Sequence, residues 1–94
     1  MDKATERFIR KQLQRHRVMT LATVRPDGFP QATVVAFAYA GFTLFVAVDS
    51  NGQKARNIRR NGRVSIAIGR DYANWSKITG LSLGGARARA AKTR

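Results

Sequence analysis

The stretch FVAVDSNGQKARNIRRNGRVSIAI, residues 45–68, decides how the chain reads. An apolar, β-branched run stops at Asp49 and a short polar loop follows. Residues 54–63 then carry five cations and no acid before a second apolar run begins. The flanks read as strands over 43–48 and 63–69, the second with Val64, Ile66 and Ile68 alternating onto one side. Between them, residues 53–60 read as a helix. Asp49 or Ser50 is placed to cap its start and Asn61-Gly62 to end it, with only Ala55 and Ile58 apolar inside it.

Working outward, residues 18–24 form a short apolar segment followed by Arg25-Pro26-Asp27-Gly28, where Pro and Gly suit a tight turn. Residues 31–40 continue as a strand. Ala32, Val34, Ala36, Ala38 and Ala40 fall on one face; Thr33, Val35, Phe37 and Tyr39 fall on the other. Ala40-Gly41 turns the chain into the 43–48 strand. Residues 4–17 read as a surface helix with a narrow stripe of Phe8, Ile9 and Leu13, and Asp2 and Glu6 lie where the helix dipole favours acids. A fifth strand is expected over 75–86, with Gly80, Gly84 and Gly85 permitting a bulge. Five short strands and an inserted helix predict a mainly β fold, an antiparallel barrel with short helices. The expected domain covers 1–86, followed by a basic, frayed tail over 87–94.

The chain has 94 residues, and a domain of that size buries only about 60–65% of its unfolded surface, so a partner chain is expected. With no cysteine and one histidine, disulfides, thiolate metal sites and a histidine zinc cluster are excluded. His16 reads as a surface residue rather than a base. Residues 1–17 are too polar for a signal peptide, no apolar run reaches the roughly 20 residues of a membrane helix, and a cytoplasmic location is expected.

The net charge of +13 is concentrated in residues 1–17 (+4), 54–63 (+5) and 84–94 (+4). Such clusters attract anions: nucleic acid, an anionic membrane or a phosphorylated small molecule. Lys54 falls in the first helical turn, where the dipole disfavours a cation, and a bound anion at the free amides there accounts for it. An equally simple reading makes the cations a solvated helix face. The alanine face of residues 31–40 leaves room for a flat ring, or for close packing of a neighbouring element. A non-enzymatic basic barrel that binds nucleic acid is the rival class; against it, Phe37, Tyr39, Phe42 and Phe45 read as core packing and are not interleaved with the charges.

LATVRPDGFPQATVV (21–35), then QKARNIRRNGRVSI (53–66), then a Trp before ITGLSLGGARA (78–88), resembles the pyridoxamine 5'-phosphate oxidase-like family of FMN-binding split barrels. The resemblance spans residues 17–88. It implies a six-stranded antiparallel split barrel, usually a homodimer with flavin at the subunit interface. A further strand that such members carry is missing, so the barrel is expected to be incomplete in one chain. The resemblance implies FMN as cofactor, with deazaflavin and haem as alternatives, and a flavin-dependent oxidoreductase activity. Lys54 matches the residue that grips the flavin phosphate. Thr33, Val34, Val35, Ala36, Ala47 and Val48 match strands along the ring, Ser50 and Gln53 flank the phosphate, and Trp75 is placed to stack on the ring. Where the oxidase has Ser-Arg-Lys, this chain reads Gly52-Gln53-Lys54; Thr33 and Ala38 stand at two further cationic positions. Arg56, Arg59 or a partner's arginine is expected to supply the missing charge. The catalytic residues and the substrate do not follow from the resemblance, and oxidation of vitamin B6 is not expected, because its recognition residues belong to the missing C-terminal region.

Overall fold

The computed structural model describes residues 2–69 and 80–87. Helix α1, Lys3–Arg15, begins at Asp2, whose Oδ1 accepts the Thr5 amide at 2.7 Å. That backbone bond holds the Asp2 carboxyl below its usual value. The cap is therefore complete above the ordinary aspartate range and is lost as pH falls through the lowered value. The helix is less superficial than its composition implies: Ile9, Gln12 and Leu13 are all buried. His16 is half-buried too, with Nδ1 2.7 Å from the Gln12 carbonyl at the end of the helix. An imidazole there meets a carbonyl that the helix itself leaves open.

Strand β1, Val18–Val24, pairs antiparallel with β2, Pro30–Ala36, in a register running from Val18 opposite Ala36 to Val24 opposite Pro30. The turn between them is held by Gly28 N–H donating to the Arg25 carbonyl at 2.8 Å, and Gly28 has φ +85°, a conformation that favours glycine. The expected second strand breaks at Phe37, whose amide donates to the Arg17 carbonyl at 3.0 Å. Beyond it β3, Ala38–Ala40, pairs with β4, Thr43–Phe45, as a separate two-stranded sheet. The third strand is thus shorter than expected, and residues 46–49 carry no regular structure.

Helix α2, Gln53–Arg60, leads into β5, Arg63–Gly69, which returns to pair with β1. Strand β6, Gly80–Arg87, completes a four-stranded sheet in the order β2-β1-β5-β6, with a register irregularity between Val64 and Ile66. It reaches one residue into the expected tail. The first part of the expected 75–86 strand, including Trp75, and the tail from residue 88 lie outside the described residues.

One face of the sheet makes the core. Met19 and Leu21 of β1, Val35 of β2, and Val64, Ile66 and Ile68 of β5 pack with Ile9 and Leu13 of α1; Phe37, Leu44, Val46 and Ile58 close the margin. Alternation sends Val34, Val18 and the alanines of β2 to the other face, where Val34 is 71% exposed. The hairpin aromatics do not join the core as expected. Tyr39, Phe42 and Phe45 are exposed, and the hairpin reaches the core through Leu44: Phe45 lies on the opposite face of the two-stranded sheet and Phe42 in its turn. Arg10 stacks on Phe42 at 4.9 Å from the ring centroid.

Leu13 is 2% exposed and ties α1 to the sheet. Leu13→Ala is expected to lower stability by roughly 2–5 kcal/mol, read as a shift of the urea unfolding midpoint at unchanged slope. A loss below about 1 kcal/mol would mean that α1 does not hold the core.

Candidate functional site

The site is built on α2 and the loop before it. The helix starts at Gly52, which has extended backbone and no side-chain cap. Neither Asp49 nor Ser50 caps it, contrary to expectation. Asp49 lies too far upstream and closes its own turn: its Oδ1 accepts the Asn51 amide at 3.0 Å and its carbonyl the Gly52 amide at 2.9 Å. A Cβ at Gly52 would come within 3.1 Å of the Asp49 carbonyl oxygen, so glycine lets the turn close this tightly. No side chain caps the amides of Gln53, Lys54 and Ala55, and the first turn contains no acid.

Successive residues of a helix are rotated by about 100°, and this sorts the cations. Ala55 and Asn57 are buried and Ile58 is half-buried; Lys54 lies among them on the inward half and is itself half-buried. Arg56, Arg59 and Arg60 are exposed on the other half. Among the described residues Lys54 meets no acid and makes no hydrogen bond, whereas Arg56 and Arg59 both hold backbone carbonyls. The ion pair found among the described residues, Arg25 with Asp27 at 3.4 Å, is remote from the cluster in sequence and exposed.

Asn57 is the buried polar residue at this site that sequence reasoning missed. It is 0% exposed. Its Nδ2 donates to Thr23 Oγ1 and to Gln31 Oε1, both at 3.0 Å, and its Oδ1 accepts from Gln53 Nε2 at 2.7 Å. These bonds join the first residue of α2 to β1 and β2. The available signal was positional: Asn57 lies one helical turn after Gln53, and so on the same side of the helix.

The expected ring-binding residues of β2 divide between the faces. Thr33 and Val35 point to the α2 side with Gln31; Val34 and Ala36 point to the open side. The alanine face is therefore opposite the face that α2 contacts. On the open side Val34 helps line a groove of about 420 Å³ with Val18, Thr20, Ala67 and Gly69. Thr33 Oγ1 is buried and has no hydrogen-bond partner. β2 is also an edge strand, so one row of its main-chain groups is unpaired within the sheet. Ala47 is exposed and Val48 half-buried in the irregular segment 46–49, and Ser50 is exposed in the Asp49 turn. Trp75 lies outside the described residues.

Uncapped amides, the half-buried Lys54 with no acid partner and an orphaned buried hydroxyl on edge strand β2 fit a phosphate-bearing ligand that also offers hydrogen-bonding atoms. The sequence model of the pyridoxamine 5'-phosphate oxidase family matches residues 5–93. The chain belongs to this family. Its mostly antiparallel sheet with two helices is the split-barrel fold of its structural neighbours within the family. A Listeria innocua protein provisionally assigned as a pyridoxamine 5'-phosphate oxidase superposes with a TM-score of 0.75 at 30% identity, covering 85% of this chain and 61% of its own. An F420 reductase superposes with a TM-score of 0.63 at 35% identity, covering 77% and 56%. The haem storage protein HutZ of Vibrio cholerae gives 0.67 at 26% identity, covering 82% and 56%. The chain thus spans between half and two thirds of the length of these relatives. No curated protein matches it. No described helix is long and apolar enough to cross a membrane.

Asn57→Ala leaves Thr23, Gln31 and Gln53 without their buried partner. We expect it to cost roughly 2–4 kcal/mol in equilibrium unfolding. A change within about 0.5 kcal/mol, typical of a surface site, would contradict the network.

Proposed function

We propose that the chain is an FMN-binding, oxidoreductase-like member of the pyridoxamine 5'-phosphate oxidase family that works as a homodimer. The observation that carries this reading is Lys54, half-buried on the inward side of α2 beside free first-turn amides and with no acid paired to it. An ammonium beside uncapped amides and without an acid partner adds positive charge to the positive end of a helix, which an anion relieves, and a phosphate monoester supplies charge and acceptors together. Lys54 and the amides of Gln53, Lys54 and Ala55 would hold that phosphate. Thr33 Oγ1 and the free edge of β2 would meet the polar edge of the ring, with Ala47, Val48 and, in its own segment, Trp75 alongside. FMN supplies the electron transfer when bound; these residues bind and orient it. An F420 reductase and a haem storage protein among the neighbours keep deazaflavin and haem as alternative ligands. The substrate class stays open.

The apolar open face supports a second copy of the chain as partner. Val34 is 71% and Val18 48% exposed, and the exposed hairpin aromatics Tyr39, Phe42 and Phe45 add to the apolar surface. Surface of this kind marks an interface.

Purified protein carrying the visible bands of oxidised flavin, or titrating with FMN more tightly than with F420 or haemin, is the expected result; preference for either competitor would replace FMN. Lys54→Ala should weaken FMN binding by roughly 1.5–3 kcal/mol. An unchanged titration removes Lys54 from the site. Light scattering should give twice the 10.4 kDa chain mass, falling to one chain in Val34→Lys. A stable wild-type monomer would contradict the homodimer.

A further inference from the structure

Resting on this reading of Lys54, we infer that Arg56, Arg59 and Gln53 are positioning residues. They clamp the 49–52 loop and leave the phosphate to Lys54 and the first-turn amides. Long side chains on a helix lean toward its N-terminus, so Arg56 and Arg59 reach back over the loop that precedes α2. Arg56 Nη1 donates to the Asn51 carbonyl at 2.7 Å, and Arg59 Nη2 donates to the Ser50 carbonyl at 2.8 Å. The amide on the far side of each of those peptide planes is held as well. Asn51 N–H donates to Asp49 Oδ1 and Gly52 N–H to the Asp49 carbonyl. Two successive peptide groups are thus fastened at both ends.

The consequence is electrostatic. A carbonyl oxygen is the negative end of the peptide dipole, and one turned toward a bound phosphate would repel it. Fastened to guanidiniums, the Ser50 and Asn51 oxygens are kept from swinging toward the helix N-terminus. Gln53 extends the clamp into the fold: its Oε1 accepts from Arg56 Nη2 at 3.0 Å while its Nε2 donates to the buried Asn57. The side-chain carbonyl of Gln53 and one of its two amide hydrogens are thus taken up inside the network, which holds the side chain in place. An unbroken series of hydrogen bonds runs from the loop through Arg56, Gln53 and Asn57 to Thr23 of β1 and Gln31 of β2. A phosphate monoester approaching α2 therefore meets a loop already set before it arrives, which lowers the ordering cost of binding.

The test uses the full chain and two readouts. The first is amide hydrogen exchange at residues 51–54 without ligand. Arg59→Gln, an exposed substitution, should speed exchange at Asn51 and Gly52 by about tenfold, whereas Lys54→Ala leaves it unchanged. The second is titration with FMN and with riboflavin, which lacks the phosphate, at several salt concentrations. In Arg59→Gln the FMN affinity should fall by about five- to tenfold with riboflavin unaffected and the wild-type salt dependence retained. In Lys54→Ala the salt dependence itself should diminish, and Arg59→Lys, which keeps a donor, should recover part of the loss. Unaltered exchange in Arg59→Gln overturns the clamp, and so does a loss of salt dependence equal to that of Lys54→Ala, which would make Arg59 a direct ligand. If the wild type binds neither flavin, the functional reading fails alone, and the exchange data still decide whether the clamp exists.

Discussion

The buried carboxamide of Asn57 is the contact on which the geometry of the site depends. Both hydrogens of Nδ2 are given to the sheet, to Thr23 and Gln31, and Oδ1 accepts from Gln53 of its own helix. In a low-dielectric interior such a group is costly when unpaired and directional when satisfied, so it fixes how α2 is rotated against the sheet. Turning the helix by a single residue would break these bonds and carry Lys54 about 100° round the axis. The orientation of the cations is thus a by-product of one neutral hydrogen-bond network.

That rotation divides a run of positive charge into groups with different physics. Lys54 and Arg56 lie in the first turn of α2, near the positive end of the helix dipole, where each is disfavoured, whereas Arg59 and Arg60 lie in its last turn, where the dipole favours a cation. Arg56 and Arg59 are each held by a loop carbonyl, the negative end of another dipole. Lys54 has no such compensation among the described residues, and so its charge is available to a ligand. Arg60 and Arg63 remain exposed and contribute to the general attraction for anions.

The sheet sets the second constraint. One face is filled by α1 and the margin of the hairpin; the other presents valines and alanines to solvent in a single chain. A sheet covered on one side only is incomplete in energetic terms for a chain this short. The same alternation places Thr33 and Val34 on opposite faces, so a ligand reaching both adjacent residues must use the main-chain edge of β2.

Local chemistry made much of this legible in the residues alone. The bounds of α2, the alternation of Val64, Ile66 and Ile68, and the Pro-Asp-Gly turn follow from rules spanning a few positions, and the structure reproduces them. The break at Phe37 was not legible, because the alternation of 31–40 runs through it without interruption; the hydrogen bond from the Phe37 amide to the Arg17 carbonyl that marks the change of sheet is a long-range event. Residues 46–48 have strand composition yet form none. Asn57 was hidden for the same reason: asparagine in a basic helix reads as solvent-facing, and its partners stand 34 and 26 residues away. Sequence by itself determined most of the elements, the excess of cations and the family. Only the tertiary structure decided which cation is free, because that depends on how a helix is turned against a sheet, and helical rotation is set by contacts between distant residues.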